Sequence, residues 1–203
     1  MKKQNNNLLL IFTRNPELGK CKTRLAEITG AETALEIYKF LLHHTVKITT
    51  DLQVKKRVYY SDSIWENDAW DASVYEKRLQ EGENLGIRMG NAFEQGFKEG
   101  YSSVIVIGCD LLDITQRDLE DAFTALDHAD YVLGPAIDGG YYLLGMKAAT
   151  PRLFVNKTWG TNTVLKDTLS DLNGEGVVLL PERNDIDTFE DINNNPLLNA
   201  FLN

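Results

Sequence analysis

The chain has 203 residues, 43% of them hydrophobic and 25% charged. That is enough for one well-buried core, and residues 1–203 are expected to form a single domain. A formal net charge of −9 excludes a broad nucleic-acid footprint and attraction to anionic membranes, but leaves room for small anions held in a local pocket. Two cysteines without CxxC spacing, Cys21 and Cys109, indicate neither a disulfide framework nor a zinc site, and free thiols are expected.

Lys2, Lys3 and a polar run from Gln4 to Asn7 precede five apolar residues, Leu8 to Phe12. Five are too few for a signal-peptide core or a membrane span, so a cytoplasmic protein is expected. Leu8 to Thr13 reads as the first strand. Arg14, Lys20, Lys22 and Arg24 follow it directly, a local reversal of sign in an acidic chain. Open α/β sheets bind ligands at the loops leaving the carboxyl ends of central strands, and clustered Arg and Lys with Gly and Pro suit a polyphosphate. The segment lacks the Gly-x-x-x-x-Gly-Lys-Ser/Thr order of a Walker A loop, which argues against an ATPase or kinase of that type.

The spacing predicts a long helix over Ala31 to Thr49, with His43 and His44 as packing or surface residues, and then a strand over Gln53 to Ser61. A short helix over Ile64 to Trp70, capped by Ser61, Asp62 or Ser63, and a short strand within Val74 to Gln80 come next. Glu83 to Lys98 reads as a helix with Leu85, Met89, Phe93 and Phe97 on one stripe. Arg88, on its first turns, is the odd charge that can reach a phosphate.

Ser103 to Ile107 reads as a central, fully buried strand ending at Gly108-Cys109-Asp110. Asp110 at that edge is the first candidate metal ligand, since magnesium needs only one or two protein carboxylates when phosphates supply the rest. Asp113 is a partner or a polar turn residue. Thr115 caps a helix running to about Asp127. Strands at Tyr131 to Gly134 and Tyr141 to Met146 flank Asp138-Gly139-Gly140, a hairpin signal that equally lets backbone approach a substrate while the carboxylate orients a hydroxyl or an ion. Trp159 is a core residue or a stacking surface. A helix over Thr163 to Leu172, a strand over Val177 to Leu180 and a closing helix from Thr188 complete the pattern. Alternation sends Asp185 and Asp187 to one side, where one of them can face a metal; the other reading of Asp187 is a helix cap. The succession of strands and helices predicts an α/β fold, a mainly parallel sheet with helices on both faces.

In order, the motifs FTRNPELGKCKTRL, QEGENLGIRM, GCDLLDIT, GPAIDGGYYLLG, KTWGTNTV and DIDTFEDI resemble the bacterial DUF2064 family, GT-A-type glycosyltransferases also called radical-SAM/selenodomain-associated transferases. More distantly they resemble 2-phospholactate guanylyltransferase and the molybdenum-cofactor nucleotidyltransferases. The resemblance implies a three-layer α/β/α sandwich of the nucleotide-diphospho-sugar transferase type. It implies that Arg14, Lys22 and Arg24 meet nucleotide phosphates, that Asp110 and Asp187 hold magnesium or manganese, and that Asp138, Gly139 and Gly140 border an acceptor pocket. Leu112 stands where the family has proline.

The expected function is metal-dependent transfer of a glycosyl group from a nucleotide-sugar to a small acceptor. Nucleotidyl transfer from a nucleoside triphosphate and a non-catalytic nucleotide-binding module are the alternatives. Asp110, Asp138 and Lys22 carry the expected catalysis; Arg14, Lys22, Thr23, Arg24, Arg88, Gly139 and Gly140 carry substrate binding. Leu197, Leu198, Phe201 and Leu202 pack on the domain or on a second copy in a homodimer.

Overall fold

Leu8, Leu9, Leu10 and Ile11 are all 0% exposed, so the first strand is covered on both faces, and each such side chain contributes about 1.5–3 kcal/mol on full burial. In the computed structural model, which describes residues 6–193 and 195–202, this strand is β1 (Asn7–Thr13). Lys2 and Lys3 lie outside the described residues. The elements that follow are α1 (Thr23–Thr29), α2 (Ala31–Thr49), β2 (Lys55–Tyr60), β3 (Glu76–Leu79), α3 (Leu85–Lys98) and β4 (Ser103–Ile107). Then come α4 (Gln116–Ala125), β5 (Tyr131–Pro135), β6 (Tyr141–Met146), α5 (Val164–Asp171), β7 (Val177–Leu179), α6 (Phe189–Asn193) and α7 (Pro196–Asn199).

The seven strands form one sheet in the order β3-β2-β1-β4-β6-β5-β7, with β4 at its middle. Every pairing among them is parallel except those of β6, which runs antiparallel to β4 and β5. Side-chain alternation divides β1 between two layers. Leu9 and Ile11 join Tyr38, Leu42 and Ile48 of α2 and Leu119, Ala122 and Phe123 of α4. Leu8 and Leu10 turn the other way, to Met89, Ala92 and Phe93 of α3 and to Leu153 and Phe154. Helices therefore cover both faces, giving the three-layer sandwich expected from the strand and helix succession.

A third cluster joins Leu25 of α1 to Ile37 and Leu41 of α2, Ile192 and Leu198 near the C-terminus, and Ile186. Leu112 packs against it. Phe201 packs on Phe40 with ring centroids 5.5 Å apart, so Leu198 and Phe201 are used within the domain, whereas Leu197 is 64% exposed.

Two local expectations are corrected. Residues 64–70 are irregular and bent rather than helical, because side chains claim the backbone there: Asp68 accepts the Trp70 N–H at 3.0 Å and Lys77 donates to the Trp65 carbonyl at 2.6 Å. Conversely α1 arises inside the cation-rich segment, starting where Lys22 adopts a left-handed φ of 49°.

Candidate functional site

The register of the central strands sets the site. Ile11 of β1 lies opposite Ile107 of β4, so the loop carrying Arg14 leaves the sheet beside Gly108-Cys109-Asp110. Tyr38, on α2, pins that loop: its hydroxyl accepts the Arg14 N–H at 2.9 Å and donates to the Arg14 carbonyl at 3.2 Å. Asn15, 1% exposed, donates to the Ser63 carbonyl at 2.8 Å and accepts the N–H groups of Asp62 and Ser63. The loop is thus held from both sides before any ligand arrives.

Gly19 at φ +75° and Lys22 at φ +49° then turn the chain back into α1. A non-glycine residue in that region costs about 1–2 kcal/mol, and such strain concentrates at functional sites. Here it accompanies an inward lysine. The Lys22 side chain is 5% exposed, its ammonium contacts Asp110 Oδ1, and Asp187 Oδ1 lies 3.8 Å away. Arg24 Nη1 reaches Asp187 Oδ2 at 3.3 Å from the exposed side.

Asp187 is free for this because another residue caps the start of α6. Asp191 accepts from the Thr188 N–H at 2.7 Å and the Asp187 N–H at 3.0 Å. Burial alone would push the Asp191 carboxyl up, but these bonds, with those from Asn184 and the Thr188 hydroxyl, hold it below the usual range. The segment before it is zipped to the β4 loop: Asp185 bridges Leu111, and the Ile186 N–H donates to the Asp110 carbonyl at 2.9 Å. Ile186 is buried, so Asp185 and Asp187 do share the opposite side of the chain. Burial, then the charges of Asp138 and Asp110, push the Asp185 carboxyl up.

Asp110 and Asp185 border a cleft of about 860 Å³, whose lining does not include Lys22, Arg24 or Asp187; its size suits a nucleotide-like ligand. Arg14, Arg88, Asp110, Asp138, Gly140 and Asp185 all line it. Arg88 is tethered on its wall, donating to the Gly82 carbonyl at 2.9 Å and to Gln80 Oε1 at 3.4 Å. Arg14 is exposed and pairs with no carboxylate among the described residues. Asp138 accepts the Gly140 N–H at 2.8 Å. Gly139, at φ +88°, faces the Asn162 backbone, and Thr23 is an exposed residue at the start of α1.

Sequence reasoning missed the anchors Tyr38 and Asn15, and left Asp185 as one of two choices. It also overlooked Tyr141, whose ring lines the cleft 6.4 Å from that of Trp159. The adjacent pair Tyr141-Tyr142 at the strand's start was the available signal, since alternation must send them to opposite faces. The thiols offer no nucleophile: burial, with the Asp110 charge, pushes Cys109 up to about 12, and burial pushes Cys21 up as well.

The donor set at Asp110 and Asp187 fits a hard divalent cation. Two carboxylates converge on one position that an ammonium, that of Lys22, already occupies as a stand-in cation. No group of three or more His, Cys, Asp or Glu side chains that could hold a metal is present among the described residues. Phosphate oxygens and water would therefore have to complete the coordination.

This fold is that of the nucleotide-diphospho-sugar transferases. The chain belongs to the DUF2064 family, described as "Uncharacterized protein conserved in bacteria", whose profile matches residues 45–161. Among solved structures it is similar to a protein from Desulfovibrio desulfuricans G20 provisionally named a nucleotide-diphospho-sugar transferase, at 28% identity and a TM-score of 0.89, covering 98% of this chain and 94% of that one. It shares its fold with 4-diphosphocytidyl-2C-methyl-D-erythritol synthase, at 11% identity and a TM-score of 0.61, with 98% and 99% of the two chains covered. The inositol-1-phosphate CTP transferase from T. maritima shares it too, at 15% identity, a TM-score of 0.52 and 97% and 94% coverage. No curated protein matches the sequence. No helix among the described residues is long and apolar enough to cross a membrane.

Proposed function

We propose that this protein is a metal-dependent transferase that moves a glycosyl group from a nucleotide-sugar to a small acceptor. The observation that carries the reading is the convergence of Lys22, Asp110 and Asp187 at the carboxyl edge of β1 and β4, beside the cleft that Arg14 and Arg88 line. The likeness to the Desulfovibrio protein supports the donor class.

Asp110 and Asp187 would hold magnesium or manganese, which when bound neutralises charge on the donor diphosphate. Lys22 then exchanges a carboxylate for a phosphate oxygen, and Arg14 and Arg24 add charge from the exposed side, as point and forked donors do at phosphates. Asp138 accepts the proton of the attacking acceptor hydroxyl. As the new bond forms to the anomeric carbon, the bond to the diphosphate breaks, and the leaving nucleoside diphosphate carries the electron pair. No covalent intermediate with the protein is needed.

Only Gly19 supplies glycine flexibility in the first loop, so phosphates are gripped by side chains rather than wrapped by backbone amides. This favours the glycosyl reading over nucleotidyl transfer. Product analysis separates them. Incubation with a panel of nucleotide-sugars, nucleoside triphosphates and mixed acceptors is expected to release a nucleoside diphosphate; release of pyrophosphate instead identifies nucleotidyl transfer. Metal-dependent nucleotide binding without turnover of any donor identifies a binding module.

A further inference from the structure

The Lys22 ammonium is confined by its own backbone. The side chain is 5% exposed, and its ion-pair partners among the described residues are Asp110 and Asp187. Cys21 before it and Leu25 after it are buried. Lys22 turns at φ +49°, and its carbonyl accepts the Ala26 N–H at 2.8 Å to open α1. The carboxylates are the open half of the cluster, at 45% and 37% exposure, and Asp110 lines the cleft whereas Lys22 does not.

This arrangement treats cations and anions differently. A divalent cation binding alone between Asp110 and Asp187 would take both partners from a buried ammonium and add a like charge beside it. A buried charge left unpaired is strongly disfavoured, and like charges repel most where water screens them least. A phosphate meets no such obstacle. It offers Lys22 replacement oxygens and releases two carboxylates that are already open to solvent. Arg14, Lys20 and Arg88 line the same cleft, so a small anion is drawn in without help from metal.

We infer that Lys22 is a built-in counter-cation that closes the metal position of the ligand-free protein, and that a bound phosphate group opens it. The inference deepens the transferase reading, resting on it for the metal position and for nucleotide as the phosphate source. It adds a binding order, phosphate before or together with metal. By linkage the effect is reciprocal: metal tightens phosphate binding by the factor by which phosphate tightens metal binding.

The test counts bound Mn2+ by electron paramagnetic resonance in protein free of phosphate and nucleotide. Wild type, Lys22→Met and Lys22→Gln are compared with a charge control, Lys20→Met; Lys20 also lines the cleft but is 60% exposed and pairs with Glu17. Both Lys22 variants are expected to bind Mn2+ at least about tenfold more tightly than wild type, and Lys20→Met to stay within about twofold of it, as an exposed, screened charge should. A lysine that serves only as a phosphate ligand gives no such gain, because no phosphate is present. Mn2+ binding to wild type as tight as to the Lys22 variants, an equal gain in Lys20→Met, or no Mn2+ bound by any of the four would overturn the inference.

A second measurement needs no variant. Wild type is expected to bind pyrophosphate and a nucleoside diphosphate in the presence of EDTA, read by calorimetry, and to hold Mn2+ beyond what those ligands hold by themselves once they are added. Tight Mn2+ binding to wild type without them, or no phosphate binding until metal is supplied, would contradict the order. The two readings fail separately. If pyrophosphate opens the metal position and no nucleotide does, the transferase reading falls and the role of Lys22 stands; if nucleotide and metal bind wild type independently of each other, the role of Lys22 falls alone.

Discussion

Lys22 and Asp110, 88 residues apart in sequence, meet in an ion pair whose lysine side chain is 5% exposed and whose carboxylate is 45% exposed. The asymmetry matters. The ammonium is held from behind by the turn that starts α1, while the carboxylate remains open to the cleft. An incoming phosphate and cation can therefore separate the pair without either charge being stranded.

Replacing Lys22 by Met removes the ammonium but keeps a stem of similar length. Asp110 and Asp187 can rehydrate, so the stability loss is expected to stay near or below about 1 kcal/mol. Binding of a nucleoside diphosphate should fall about tenfold to a hundredfold, the worth of one charge-assisted bond to phosphate. Calorimetry and thermal melts on the same variant check both; a large Tm loss with unchanged nucleotide affinity would make Lys22 purely structural.

Asp185 and Asp191 respond to pH in opposite directions. The Asp185 carboxyl is raised in the folded state above its ordinary value of 3.8, so its contribution is fully present below that value and is lost as pH rises through the folded pKa. Asp185→Asn should therefore raise Tm at pH 7, with the gain fading in melts below about pH 4. Asp191 is lowered from 3.8, so its contribution is present above that value and is lost as pH falls through the folded pKa. Asp191→Ala should cost about 0.5–2 kcal/mol at pH 7, the range for losing a helix cap, and less in acid.

Gly139→Ala introduces a Cβ at φ +88°, 2.3 Å from the Asn162 carbonyl oxygen. Both the conformation and the contact are unfavourable, and a loss above about 1 kcal/mol is expected, or roughly 2–4 °C in Tm for a chain of this size. If the 158–163 loop shifts as a result, nucleotide-sugar affinity should fall while that of the bare nucleoside diphosphate holds. A variant as stable as the parent would show that the turn and loop are not locked together.

Much of this architecture is legible in the sequence, for physical reasons. Val104 to Ile107 is a continuous apolar run because β4 is covered on both faces at the sheet's middle, and that identity points directly to Asp110 just beyond its end. The Asp-Gly-Gly signal likewise marks the β5–β6 hairpin, and Thr115 marks a helix start that its side chain does cap. What was not legible depends on long-range contacts. Residues 64–70 have a helix-like composition, but Asp68 and Lys77 hold them in a bent, irregular path. The four cations of the first loop look equivalent by residue type; only the left-handed turn at Lys22 separates one inward lysine from the exposed Arg14 and Arg24.

The central claim is that Asp110 and Lys22 open onto a metal-nucleotide site. Calorimetric titration of wild type and Asp110→Ala with nucleoside diphosphates, triphosphates and nucleotide-sugars, each with and without magnesium or manganese, tests it directly. The account predicts metal-enhanced binding of at least one nucleotide by wild type, and loss of that enhancement in a folded Asp110→Ala protein. Equal metal and nucleotide affinity in the two proteins, or no nucleotide bound by wild type with either metal, would contradict it.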